Sequence, residues 1–134
     1  MALRTNEVFE QIDGAPNPKI DCRRTQQVKM APGTNTLVHV VGTLLAFDTS
    51  NKRHAPWDPN GSNGLDTAVA ILYPEKFTPH ATDESLAVAM IAGTVRLEDI
   101  VAGDGVTATA QEIKDAVAGF RSLGIVVQNH DEAY

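Results

Sequence analysis

The chain reads as short apolar runs cut by turn residues, with one helical stretch toward its C-terminal end. Thr36-Leu37-Val38-His39-Val40-Val41 and Thr43-Leu44-Leu45-Ala46-Phe47 are rich in β-branched and apolar residues and predict strands. Gly42 between them marks a bulge or bend. Asp48-Thr49-Ser50-Asn51 predicts a turn, because these side chains can bond nearby backbone. Pro56, Pro59, Asn60-Gly61 and Asn63-Gly64 predict an irregular loop over 54–65. Thr67–Tyr73 predicts a buried strand that Pro74 stops, and Lys76–Ser85, with Pro79, a second polar loop. Leu86–Ala92 predicts another strand, which Gly93-Thr94-Val95-Arg96-Leu97 continues beyond a glycine break.

The helical stretch has a defined start. Thr109 and Glu112 match a capping box, a hydroxyl at the N-cap with a carboxylate three residues on. Ile113, Ala116, Val117 and Phe120 then recur at helical spacing, and Gly124 supplies a stop, so a helix is expected over Ala110–Leu123. Ile125-Val126-Val127 makes a final short strand before a polar tail, 128–134. The pattern is mainly β with one α-helix in the C-terminal half.

Residues 1–33 differ from the rest. They carry Pro16, Pro18 and Pro32, and their apolar residues are scattered: Val8, Phe9, Ile12, Ile20 and Val28. Ala15-Pro16-Asn17-Pro18 is extended or turning, since proline fixes φ and removes a donor. Such a segment buries too little surface to fold alone and reads as an arm, with Val8-Phe9 and Ile12 able to adhere to a partner.

Bulk properties narrow the function. A chain of 134 residues is one domain and buries roughly two-thirds of its unfolded surface, enough for a modest core. The apolar share is 43% but the aromatic share only 5%, which suits strands around a thin core better than a deep pocket. The formal net charge of −6 argues against a nucleic-acid partner, which needs clustered positive charge. The basic cluster is Arg23-Arg24 with Lys19 and Lys29, a solvated or partner-facing patch. Cys22 is the sole cysteine, so no internal disulfide forms, in keeping with a reducing cytoplasm. No apolar run approaches the ~20 residues of a membrane span, and Met1–Glu7 lacks a signal peptide's apolar core. A soluble protein with no membrane partner is expected.

Chemical signals are sparse. Asp58, Asn60, Ser62 and Asp66 fall at calcium-loop positions, but Asn63 and Val69 stand where that loop needs Gly and Glu. A hydrogen-bonded turn is the expectation there. His39, His54, His80 and His130 show no metal-ligand spacing, and His39 reads as a half-buried strand side chain. Ser62 is not in a nucleophile elbow, and Cys22 has no histidine near it in sequence. Glu98 and Asp99 would point to opposite faces of a strand. Trp57 is the only tryptophan, either an exposed anchor or a plug over a small barrel with its indole N–H on backbone. The expectation is no catalytic site, no cofactor, no metal and no enzymatic activity.

The order of parts carries more. Leu44-Leu45-Ala46-Phe47-Asp48-Thr49-Ser50-Asn51-Lys52-Arg53 is followed by Ala55-Pro56-Trp57-Asp58, then Asp66-Thr67-Ala68-Val69-Ala70-Ile71-Leu72, then Gly93-Thr94-Val95-Arg96-Leu97-Glu98-Asp99. Ala31-Pro32-Gly33 lies upstream, and the helix and short strand over 110–127 lie downstream. This series resembles the head decoration proteins of lambda-like bacteriophages, from about Ala31 to Val127. The polar loop Tyr73–Ser85 and the arm fall outside the likeness. The resemblance implies a compact β-rich, β-clip or β-tulip-like decoration domain over 31–127. Outside the likeness, composition and position give an extended arm over 1–30, expected to bind the capsid, and a polar tail over 128–134. Asp48, Trp57, Asp58, Arg96, Glu98 and Asp99 would be structural residues of the family motifs.

The function implied is that of a structural virion protein made in the host bacterial cytoplasm. Homotrimers would cement the outside of an expanded icosahedral head at three-fold and quasi-three-fold positions, against packaged DNA pressure. The arm would add β-structure to the major capsid protein through Val8, Phe9 and Ile12, with Ile20 and Val28 behind them. Two other readings remain at this level. One is a small ligand-binding or enzymatic β-barrel, which needs convergent polar groups. The other is a different virion adaptor, in a tail or baseplate.

Overall fold

The computed structural model describes residues 20–33 and 36–128. Val8, Phe9 and Ile12 lie outside the described residues. The strands are β1 (Ile20–Met30), β2 (Leu44–Asp48), β3 (Arg53–Pro56), β4 (Ala68–Leu72), β5 (Ser85–Arg96) and β6 (Ile125–Gln128); the helix α1 is Ala110–Val117. Their order is β1-β3-β2-β4-β5-β6, and β1 also pairs with β5. That extra pairing closes five strands into a barrel and leaves β6 as an added strand on β5. The chain is therefore mainly β, as its pattern predicts.

β2 and β4 read as unbroken apolar runs because both of their faces are covered. Successive strand side chains point to opposite faces. Leu44, Ala46 and Ile71 enter one apolar cluster, with Trp57, Met90, Phe120 and Ile125. Leu45, Ala70 and Leu72 enter a second, with Val28, Met30 and Ala89. β5 is the spine. One of its edges pairs with β1 along nearly its whole length, Ile20↔Val95 to Met30↔Ser85. Its other edge meets β4 at Met90 and Ala89, then β6 from Gly93 to Arg96. The handover falls at Gly93, whose φ is +144°. A Cβ there would stand 2.4 Å from the Asp21 carbonyl oxygen, so only glycine lets β1 approach. The β1–β5 register shifts on either side of Arg24 in the same region.

The capping box forms as expected. The Glu112 amide donates to Thr109 Oγ1 (3.1 Å) and the Thr109 amide to Glu112 Oε1 (2.8 Å). The helix is shorter than predicted. It ends at Val117, and after Gly119 the chain winds into a 3-10 turn, Phe120–Leu123, closed by Gly124 at φ +99°. Gly119 weakens the helix there, and the tighter turn carries Phe120 into full burial. Val117 and Phe120 still enter the first cluster, with Ile113 and Ala116 packed on it, so the apolar periodicity identified the right face.

Three local expectations change. Residues 36–41 form no strand; only His39 makes a bridge, to Phe77, while Val38 and Val40 face solvent. The predicted loop 54–65 begins with β3, whose four residues are too few to show a pattern. β1 occupies residues assigned to the arm, so the barrel begins at Ile20 rather than Ala31.

Candidate functional site

β1 is an edge strand over most of its length. Residues 20–29 pair with β5 on one side; on the other, β1 meets β3 only at Met30↔His54, followed by the Ala31 amide donating to the His54 carbonyl (2.8 Å). Among the described residues, 20–28 pair with no strand on that outward side. An open edge of this kind is a template for another strand. Arg23, Arg24, Thr25, Gln26 and Gln27 are exposed in sequence, so the middle of β1 meets water on both faces. Arg23 and Arg24 find no carboxylate partner among the described residues. Lys29 is tied down instead: Glu84 lies 3.7 Å from its Nζ and 3.1 Å from Arg53 Nη1 on β3.

Two of the residues expected at the capsid contact are part of the barrel itself. Val28 is only 4% exposed and belongs to the second cluster, and Ile20 packs against the first. Both hold the barrel together. Val8, Phe9 and Ile12 fall in the segment 1–19, outside the described residues. The signal for β1 was present at its ends, where Ile20 and Cys22, then Val28 and Met30, alternate with polar residues. The polar centre, Arg23–Gln27, masks it.

Both flanking segments leave from one end of the barrel. Ile20 lies opposite Val95 on one side of β5, and Gln128 lies opposite Arg96 on the other. Arg96 organises that end. Its Nε donates to Asp99 Oδ2 (3.2 Å), and Glu98 Oε2 lies 3.4 Å from Nη2. Glu98 and Asp99 were expected on opposite strand faces. They sit in a 3-10 turn, Leu97–Asp99, whose tighter winding brings both carboxylates back to one guanidinium.

The remaining motif residues lie elsewhere. Asp48 closes the β2–β3 hairpin: Oδ1 accepts from the Ser50 and Asn51 amides (2.9 and 3.2 Å), and Oδ2 from Asn51 Nδ2 (2.8 Å). The Asn51 side-chain bond, with these amides, holds the Asp48 carboxyl below its ordinary range. Trp57 is 2% exposed, and its indole N–H donates to the Asp66 carbonyl (3.0 Å). Asp58 Oδ1 accepts from the Asn60 amide (2.9 Å), while the Asp58 amide bonds the Leu65 carbonyl (2.9 Å). Loop 58–66 is thus held by its own turn bonds.

A groove of about 280 Å³ opens at the opposite end of β1, lined mainly by Met30, Leu37, Phe77, Pro79 and Val106. Its polar members are His39, Asp58 and Asp104. Each is engaged within the chain: His39 Nδ1 accepts from the Asp104 amide (3.1 Å), Asp104 Oδ2 from the Val38 amide (3.1 Å), and Asp58 from Asn60. Such an arrangement offers an apolar ligand shape, not converging reactive groups. Burial pushes both His39 and His54 below the ordinary histidine range. The His54 ring stands edge-on to Phe47, with 5.1 Å between centroids. Among the described residues, no helix is long and apolar enough to cross a membrane.

No curated protein matches the chain. The family model of bacteriophage lambda head decoration protein D does, over residues 21–125. The match runs from the second residue of β1 to the first of β6 and takes in the hairpin, the Trp57 plug, the Arg96 cluster and α1. The chain belongs to the bacteriophage lambda head decoration protein D family.

Proposed function

We propose that this protein decorates the outer surface of an expanded phage head as a homotrimer at three-fold and quasi-three-fold positions, cementing the shell by strand addition to the major capsid protein. The observation that carries this reading is the open edge of β1, which leads directly from the segment 1–19. Backbone pairing along an open edge supplies affinity, and alternate side chains supply specificity. Val8, Phe9 and Ile12 in the leader provide the apolar side chains for that pairing.

The energetics favour an assembled lattice. Ordering the leader costs roughly 1–2 kcal/mol per residue in backbone entropy, so it must gain pairing along much of its length. Three leaders on one trimer make the second and third contacts intramolecular and raise net binding without new chemistry. A shell that presents strand edges at the right spacing only after expansion is then decorated only after expansion. The protein is made in the host cytoplasm and serves on the virion surface. It acts as a structural part with no cofactor, direct nucleic-acid or membrane partner.

The test is to mix the full chain with expanded empty heads and follow binding and shell melting. Saturable binding that raises the shell melting temperature is expected. A chain lacking residues 1–19 keeps β1 and the barrel and should fail to decorate. Full decoration by that shortened chain would overturn the leader's role.

A further inference from the structure

Residues 36–41 turn one side chain inward. His39 is 2% exposed, while Val38 and Val40 on either side face solvent. The ring lies against loop 103–106, and glycine makes that approach possible. A Cβ on Gly103 would stand 3.0 Å from His39 Nδ1 and 2.8 Å from Pro56 Cβ. Two hydrogen bonds join the segments in opposite senses. The Asp104 amide donates to His39 Nδ1 (3.1 Å), and the Val38 amide donates to Asp104 Oδ2 (3.1 Å). Leu37, Gly105 and Val106 from these two segments form part of the groove wall.

An imidazole nitrogen accepts only when it carries no proton. The bond from Asp104 therefore places the neutral ring's proton on Nε2. Protonating Nδ1 sets one N–H against another at the same contact. The Asp104 amide then has no acceptor in the ring, and loosening its segment also loosens the carboxylate that the same residue presents to the Val38 amide.

We propose that His39 and Asp104 form an acid-released latch, which holds loop 103–106 against residues 37–39 when the ring is neutral and frees the loop, widening the groove, when Nδ1 is protonated. The titratable groups that share the groove with His39 are Asp104 and Asp58. The other facing elements contribute Met30 from β1, Pro56 from β3, and Phe77 and Pro79 from the segment after β4. Burial resists protonation and the Asp104 charge favours it, with burial the larger effect, so release falls below the ordinary histidine value of 6.5. The latch needs no shell, so its failure leaves the decoration reading untouched.

The experiment is amide exchange by nuclear magnetic resonance on the free full chain, from about pH 7.5 to about 4.5, with His39 titrated in parallel. Rates are corrected for the intrinsic pH dependence of exchange. As the ring protonates, exchange at Asp104 and Val38 should rise about tenfold, the loss of roughly one net hydrogen bond. The Glu112 amide in the capping box should hold. In the His39→Asn variant, a side-chain oxygen accepts in place of Nδ1 without titrating, so both amides should stay flat. Should that variant not fold, Asp104→Asn keeps an acceptor for Val38 but removes the charge. There the ring titration and the amide loosening should shift together to lower pH. A ring that titrates while both amides stay fixed overturns the latch. So does equal loosening in His39→Asn, or an Asp104→Asn variant whose two transitions do not move together.

Discussion

β1 and β4 belong to one barrel but are held by different forces. β4 has five residues, of which four are buried, and both faces feed the core. β1 has eleven, of which only Val28 and Met30 are buried. Burying apolar surface is worth about 25 cal/mol per Å², so β4 is a strand because water leaves its side chains. β1 is a strand because β5 offers it a long ladder, broken only near Arg24. The lesson concerns assembly. A strand fixed by burial has little left to offer a partner, whereas one fixed along a single edge keeps the other edge free, and its opening energy lies at the low end for the molecule.

The largest effect should come from the buried side. Trp57 plugs the cluster that β2 and β4 share, and Trp57→Ala should cost about 3–5 kcal/mol in chemical denaturation. A loss under about 1 kcal/mol would mean that the aromatic plug does not organise that core. Next comes the junction between the two kinds of strand. Gly93→Ala puts a Cβ 2.4 Å from the Asp21 carbonyl at φ +144°, at a cost of about 1–3 kcal/mol. Hydrogen exchange should quicken at 20–22 before it does in β4. Equal loosening of both would erase the distinction.

Acid separates smaller contributions. The folded-state values of His39 and His54 lie below their ordinary 6.5, so the unfolded chain takes up protons first as pH falls. Their contribution is intact above about 6.5 and is lost as pH drops from there through the folded values. Asp48 acts lower. Its folded value lies below the ordinary 3.8, so its stabilisation is present above 3.8 and disappears as pH falls through the folded value. Thermal melts across pH should therefore show a first decline in the histidine range, which His54→Phe reduces. They should show a second, acidic decline, which Asp48→Asn reduces. A flat profile down to the carboxylate range would place both histidines outside the linkage.

How much the sequence disclosed follows the same division. β2, β4, β5 and β6 were legible because burial leaves an apolar pattern, and the Thr109–Glu112 box and Gly124 were legible because caps are local chemistry. The ordered likeness from Leu44 to Asp99 pointed to the family. Residues governed by distant backbone were not legible. Arg23–Gln27 look like arm because their strand state depends on β5, some sixty to seventy positions away. β3 has four half-buried residues and no period of its own. Residues 36–41 carry a strand-like composition, yet Val38 and Val40 face water, because the side chain turned inward between them is His39. Glu98 and Asp99 converge on Arg96 only because a 3-10 turn replaces the expected strand.

The smallest expected effect on stability is the sharpest probe of the comparison. Arg23 and Arg24 are exposed, lie on the open-edged stretch of β1 and have no carboxylate partner among the described residues. Replacing both with Glu should change folding free energy by under about 0.5 kcal/mol each, as for other surface positions. The barrel should melt nearly as before. If β1's free edge meets the shell, however, the same pair of changes reverses the charge at the contact and should weaken decoration of expanded heads strongly. Arg23→Lys with Arg24→Lys should preserve most of it, and rising salt should narrow the gap between the two variants because exposed charges are screened. Weak decoration with an intact barrel separates the strand that serves the partner from those that serve the fold. Normal decoration by the double Glu variant would turn the β1 edge away from the shell and leave strand addition to the leader alone.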